Sequence, residues 1–288
     1  MTRKRHKANA PGNWYVDTSC TDCSAARTVA PGLIIERDGQ SVFARQPQTE
    51  DELRMAWRAR LLCPTASIHT DNKSAPLADV FPEPITEGVF RLGYNAAHSA
   101  GAHSFLVVRQ TGNFMVDSPR WTRPVVDAIE RRGGLAGILL THRDDVADAH
   151  HYARHFGAKV WIHRDDRDRA PYADKLIEGR EAVVIADDMF AIPLPGHTKG
   201  SVAYLYDRRC LFTGDSLAWS FEDNDLTAWR DFCWYSWSEQ TRSLKRLLDY
   251  SFDWVLAGHG GSKGLPAAEM HRRLCALVDR MERDDFTA

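Results

Sequence analysis

The sequence predicts an α+β protein in two unequal parts, a small cysteine-bearing unit followed by a larger one of short strands with helices set among them. Three observations carry that expectation. Short apolar runs bounded by turn residues recur from Gly88 onward, as strands do. Stretches with apolar side chains at helical spacing separate some of these runs, so strand, helix and strand follow one another. Before position 70 the composition differs, with Cys20, Cys23 and Cys63 set among small and polar residues.

The chain has 288 residues, of which 43% are hydrophobic and 10% aromatic, enough for a sizeable core. Its formal net charge of -2 gives no electrostatic reason to expect nucleic acid or an anionic membrane as partner. The expected partner is a small molecule; the oligomeric state is not indicated. Met1 to Lys7 are basic but lack the apolar stretch of a signal peptide, so residues 1–11 are expected to be a disordered tail. No window is long and apolar enough for a membrane span, which places the protein in the cytoplasm. Six cysteines without an export signal are expected as thiols or ligands, not disulfides.

Taken in order, residues 12–70 form the first domain, with Asp17-Thr18-Ser19-Cys20-Thr21-Asp22-Cys23 in a loop and Leu62-Cys63-Pro64 near its end. Leu53, Ala56, Trp57 and Leu61 share one face, predicting a helix over Thr49 to Leu61. Residues 71–84, with Pro76, Pro82 and Pro84, read as a linker, and 85–288 as the second domain. Strands are expected at Val89 to Leu92, Phe105 to Val108 and Phe114 to Val116, the last two joined through Thr111-Gly112-Asn113 as a hairpin. A helix from Arg123 to Arg132 ends at Gly133-Gly134 and leads to a strand from Gly137 to Leu140. Val146 to Phe156 reads as helical with Gly157 as its stop, followed by strands at Lys159 to Ile162, Val183 to Ile185, Met189 to Leu194, Val202 to Leu205 and Cys210 to Phe212. Helices at Glu239 to Leu248 and Pro266 to Met281 flank a last strand, Trp254 to Ala257.

Four of these strands end in a histidine or an acid. Asp215 follows Cys210-Leu211-Phe212, and an acid beside a buried strand is costly unless something binds it. His142, with Asp144 and Asp145, follows Gly137 to Leu140; His197 follows Phe190 to Leu194; His259 follows Trp254 to Leu256. Strand ends lie close together in a sheet, so these side chains can converge into a metal site.

Gly196-His197-Thr198-Lys199-Gly200-Ser201, Thr213-Gly214-Asp215 and Ala257-Gly258-His259-Gly260, in that order, resemble the metallo-β-lactamase fold superfamily, whose members also carry H-x-H-x-D-H. The resemblance implies a four-layered αββα sandwich after the linker, and the metal ligands His142, Asp144, Asp145, His197, Asp215 and His259 for one or two divalent ions, zinc, iron or manganese. The first motif departs from the pattern. Aligned from its left end, Thr141-His142 meets the first histidine, Asp144 stands at the second, and Val146 and Ala147 replace the Asp-His pair. Aligned from its right end, Asp144-Asp145 replaces that pair in a loop two residues shorter; this reading is preferred because it keeps the distance to Phe156-Gly157. Asp215 would bridge two ions, and Asp144 or Asp145, whichever is not a ligand, is the catalytic candidate for orienting or deprotonating water.

Residues 12–70 are similar to a single-cluster [4Fe-4S] ferredoxin domain, but Ala26 stands where the third loop cysteine belongs, which argues against an iron–sulfur cluster. The implied function is a metal-dependent hydrolase of a small ester or thioester. Two alternatives stay open: an iron-dependent redox enzyme of the same fold, and a non-catalytic protein with a vestigial site. The aromatic run Trp229 to Trp237 either walls a pocket or packs in a core, and core packing is expected. Cys233 is expected to be inert, Gly133-Gly134 and Gly260-Gly261 to serve in turns, and His98, His103, His150, His151 and His155 to lie on the surface.

Overall fold

In the small domain, apolar side chains close over a core before any sheet of size can form. The computed structural model describes residues 4–72 and 77–283. The domain contains β1 (Trp14–Val16), α1 (Ala25–Val29), β2 (Ile34–Arg37), β3 (Gln40–Phe43), α2 (Glu50–Leu62) and β4 (Ile68–Thr70). Strands β1 and β4 pair, as do β2 and β3, around Trp14, Val16, Leu33, Phe43, Trp57 and Leu62. Helix α2 starts where Thr49 Oγ1 accepts from Glu52 N at 3.2 Å, and its three acids Glu50, Asp51 and Glu52 face the positive end of the helix dipole.

Two expectations about the flanks need correction. Residues 4–11 are ordered: His6 N donates to Val16 O at 2.9 Å, Ala10 N to Phe43 O at 2.8 Å, and Asn9 Oδ1 accepts from Val16 N and Phe43 N, both at 3.0 Å. The basic composition concealed an edge segment held by backbone groups and one asparagine. Residues 1–3 and 73–76, parts of the expected tail and linker, lie outside the described residues. The linker is shorter than expected, because Val80 and Phe81 join the core of the small domain and β5 (Glu83–Thr86) already belongs to the large sheet. Pro84 is tolerated there since β5 is an edge strand.

The large domain continues through β6 (Val89–Arg91), β7 (Phe105–Val107), β8 (Phe114–Val116), α3 (Arg123–Glu130), β9 (Gly137–Leu139), α4 (Ala149–Phe156), β10 (Lys159–His163) and β11 (Lys175–Ile177). The second half holds β12 (Val183–Ala186), β13 (Met189–Pro193), β14 (Val202–Tyr206), β15 (Cys210–Gly214), β16 (Ala218–Ser220), β17 (Asp225–Thr227), α5 (Trp237–Arg246), β18 (Trp254–Ala257), β19 (Lys263–Gly264) and α6 (Ala267–Glu282). One sheet runs β11-β10-β9-β8-β7-β6-β5 and the other β12-β13-β14-β15-β18-β19. Strand alternation sorts the side chains into three cores. Phe105, Val107, Leu139, Phe212 and Leu256 meet between the sheets; Leu106, Ile138 and Val160 face Val125, Ile129 and Tyr152 of α3 and α4; Leu211 and Val255 face Leu244, Leu274 and Leu277 of α5 and α6. Three cores between four layers make the αββα sandwich. Among the described residues, no helix is long and apolar enough to cross a membrane.

Helix α4 begins at Ala149, not at Val146 as expected. Ala147 takes φ +34°, a left-handed conformation that a helix cannot contain, so residues 142–148 remain a loop at the end of β9.

Candidate metal centre

Parallel strands deliver their C-terminal ends to the same edge, and β15 pairs with β18 in parallel, Gly214 opposite Ala257. Asp215 and His259 therefore leave the sheet side by side: His259 N donates to Asp215 Oδ1 at 3.1 Å, and His259 Nδ1 lies 2.9 Å from Asp215 Oδ2. The two sheets are tied at this edge. Val202 N donates to Thr141 O at 2.7 Å and Tyr204 Oη to Leu140 O at 2.9 Å, which brings the end of β9 over the second sheet. Backbone here comes close: a Cβ on Gly214, whose φ is +50°, would lie 2.6 Å from Thr141 Oγ1.

Four ligand atoms converge. His142 Nε2 is 3.7 Å from Asp215 Oδ2 and 3.9 Å from Asp144 Oδ2, while His197 Nε2 is 3.6 Å from each of the same oxygens. Ligands about 2.1 Å from one tetrahedral ion are separated by about 3.4 Å, so this spacing is that of a slightly open ligand set. Both Nε2 atoms are buried and lack a hydrogen-bond partner. Their rings are oriented from behind. His197 Nδ1 donates to Phe232 O at 2.6 Å, and His142 Nδ1 is 3.0 Å from Thr141 Oγ1, which donates to Asp117. Such partners fix the tautomer that turns Nε2 toward a cation. Burial, opposed by Asp215 and assisted by His197, lowers His142 to about 4, leaving it neutral near pH 7 with a free lone pair. Burial would raise Asp215, but His259, His142 and His197 outweigh it and hold the carboxyl well below its usual range. These residues fit a divalent ion.

Asp144 is half-exposed and faces both histidines, the position that the left-end alignment gives it; the preferred right-end alignment does not describe this contact. Asp145 is buried with both oxygens unpartnered, its Oδ2 3.9 Å from His142 Nδ1, and burial reinforced by the Asp215 charge raises its pKa well above normal. His259 is held differently from the other two histidines. Its Nδ1 contacts both Asp215 oxygens and its Nε2 lies 3.3 Å from Ala100 O, so it is arranged as the partner of Asp215; Asp215 outweighs burial and raises it to about 10.

Several functional contacts were not read from sequence. Asp166 Oδ2 accepts from Arg143 N at 3.0 Å and Thr198 Oγ1 at 2.6 Å, and its Oδ1 from Gly200 N at 3.1 Å, so one carboxylate joins the loops that carry His142 and His197. Nothing marked it within the charged run Arg164 to Arg169. His103, expected on the surface, is buried, with Nε2 2.9 Å from Thr28 Oγ1 of the small domain; His98, His150, His151 and His155 are exposed as expected. The aromatic run also departs from expectation, since Phe232, Trp234 and Tyr235 are exposed. Cys233 donates to Gly196 O, and burial raises its thiol pKa.

In the small domain Cys20, Cys23 and Cys63 line one pocket together with Ala26, and burial pushes the Cys23 thiol up to about 11. Ala26 offers no thiolate beside these three, so the residues do not fit a four-thiolate cluster.

The family described as the 4Fe-4S single cluster domain of Ferredoxin I matches residues 16–70. The hydroxyacylglutathione hydrolase of Cereibacter sphaeroides is 41% identical over 108 residues, covering 36% of this chain and 42% of that protein. The hydroxyacylglutathione hydrolase of Acidiphilium cryptum is 31% identical over 122 residues, covering 41% of this chain and 50% of that one. The chain thus spans half or less of these curated relatives. Among solved structures, the metallo-β-lactamase FIM-1 from Pseudomonas aeruginosa superposes with a TM-score of 0.53 at 16% identity, covering 70% of this chain and 95% of that one. The metallo-β-lactamase from Pontibacter korlensis gives 0.52 at 16%, covering 68% and 97%. The large domain has the metallo-β-lactamase fold. At its N-terminal side the chain carries a ferredoxin-like domain.

Proposed function

We propose that this protein is a metal-dependent hydrolase of a small ester or thioester, acting in the cytoplasm, where its six free cysteines remain thiols. The observation that carries the reading is the convergence of His142 Nε2, His197 Nε2, Asp144 and Asp215 around one point, with both imidazole nitrogens buried and unpartnered. Two imidazoles and two carboxylates suit zinc, iron or manganese. When bound, the ion supplies a Lewis acid and a water that ionises near neutral pH. The similar relatives named hydroxyacylglutathione hydrolase point to an acyl group carried on sulfur.

The chain's own residues then have separate tasks. His142, His197 and Asp215 would hold the ion from the buried side, and Asp144 would complete the set where it opens to solvent. From that half-exposed place Asp144 would orient the attacking water. Asp145 is less suited to that task, since it is buried while Asp144 reaches solvent. His259 balances the charge of Asp215.

The test compares wild type with His197→Ala for zinc, iron, manganese and acid-labile sulfide, alongside thiol release from simple acyl thioesters. About one divalent ion per chain and thioester hydrolysis, both lost in the variant, are expected. Iron with sulfide that survives the substitution would replace this reading by the redox one. A wild type that takes up no ion under any supply would leave a vestigial site.

A further inference from the structure

We propose that the exposed aromatic segment 232–235 is the acyl-recognition wall of the metal centre, selecting substrates whose acyl group is apolar and preferably aromatic; this rests on the hydrolase reading above. Three of the seven large apolar side chains exposed among the described residues fall in these four positions, with Phe232 58%, Trp234 64% and Tyr235 45% exposed. Rings that exposed are not part of a core, and they are not loosely attached either. Trp234 N and Tyr235 N donate to His197 O at 2.9 and 3.1 Å, Ser236 N and Cys233 Sγ donate to Gly196 O at 3.0 and 3.1 Å, and Phe232 O accepts from His197 Nδ1. Five hydrogen bonds fasten residues 232–236 to the turn that carries one candidate ligand.

The result is a fixed apolar corner beside the reacting centre. The Trp234 ring stands 6.1 Å from the His197 imidazole, and Phe232 meets Trp234 edge-on at 6.2 Å with an 88° angle between planes. Faces and edges at right angles complement an aromatic guest. Nearby cations are already engaged: Arg143 with Asp168, Lys199 with Asp165 and Arg180 with Glu239. An anionic head group finds little to hold it among these three, whereas an uncharged apolar acyl chain gains by covering the rings.

The experiment uses metal-loaded full-length protein and a series of thioesters of one thiol carrying acetyl, hexanoyl and phenylacetyl groups. Wild type is expected to prefer phenylacetyl over acetyl in kcat/KM, mainly through KM. In Trp234→Ala that selectivity should fall about tenfold or more, and Trp234→Phe should restore most of it, which a merely structural role would not do. The amides that fasten the segment are backbone groups and persist in both variants, and metal content verifies the centre. A flat acyl profile in wild type, or unchanged selectivity in Trp234→Ala, overturns the proposal. Sedimentation with phosphatidylcholine vesicles that is lost in Trp234→Ala, together with a flat profile, would assign the surface to a membrane instead. If no thioester is turned over, the hydrolase reading has failed, and the wall is judged by the change in tryptophan fluorescence with uncharged phenylacetamide: a saturable change weakened in Trp234→Ala keeps an aromatic acyl site, and its absence removes it.

Discussion

Asp166 ties together the two loops that carry His142 and His197. Its carboxylate takes hydrogen bonds from Arg143 N, Gly200 N and Thr198 Oγ1, three donors on the two loops that present His142 and His197. Burial raises its pKa, against those same hydrogen bonds. Asp166→Ala leaves three donors without their acceptor, so a loss of about 3 kcal/mol in urea unfolding is expected. Metal affinity should fall roughly 10-fold to 100-fold in a chelator competition, the usual scale for removing a group that orients ligands. Unchanged affinity would mean that the loops hold their places without it. At this scale the motifs singled out His142, His197 and Asp215, and the fold brings the two Nε2 atoms to 3.7 and 3.6 Å from Asp215 Oδ2. The sequence was silent at Asp166, because a buried acid inside a run of charges has no local mark; only the fold, by carrying β10 next to β9, brings it over the loops.

The elements deliver these residues through strand ends, and Gly258, just after β18, is packed against two of the acids. A Cβ there would lie 2.8 Å from Asp145 Oδ2 and 2.9 Å from Asp215 Oδ1. Gly258→Ala should therefore displace both carboxylates, destabilise the chain by about 1–3 kcal/mol and lower metal occupancy, while the circular dichroism spectrum keeps its shape. Full occupancy in that variant would show that the crowding relaxes elsewhere. Elements were legible in the sequence where alternation and length agreed: Trp254–Ala257 has the bounds expected, and Glu50–Leu62 lies one residue from them. The short β1 to β4 of the small domain, and β16 with β17, gave no such signal, since two-stranded pieces of three or four residues carry too little periodicity. Residues 146–148 were expected to open the helix that begins at Ala149, because composition does not reveal a left-handed Ala147.

At the scale of the whole molecule, the small domain is joined to the metal centre by residues 95–103. Asn95 N donates to Leu62 O at the end of α2, and a Cβ on Gly101 would lie 2.9 Å from Cys23 Sγ. On the other side, His103 N donates to Gly258 O at 2.8 Å and Ala100 O lies 3.3 Å from His259 Nε2. His103 connects the two: burial, with Arg91 and His259, lowers it well below its ordinary value, so it is neutral, and Thr28 Oγ1 at 2.9 Å is its contact to the small domain. Thr28→Val keeps the shape and removes the hydroxyl, leaving a buried ring nitrogen unpartnered at a cost of about 1–3 kcal/mol. Because that ring's own backbone holds Gly258, the loss should be felt on both sides. We expect urea unfolding in which thiol exposure of Cys63 and loss of the near-ultraviolet signal of the large domain follow one transition, shifted to lower urea in the variant, with metal affinity reduced as well. Two separated transitions in wild type, or a shift confined to Cys63, would mean that the small domain is only attached to the metal centre and does not help to hold it.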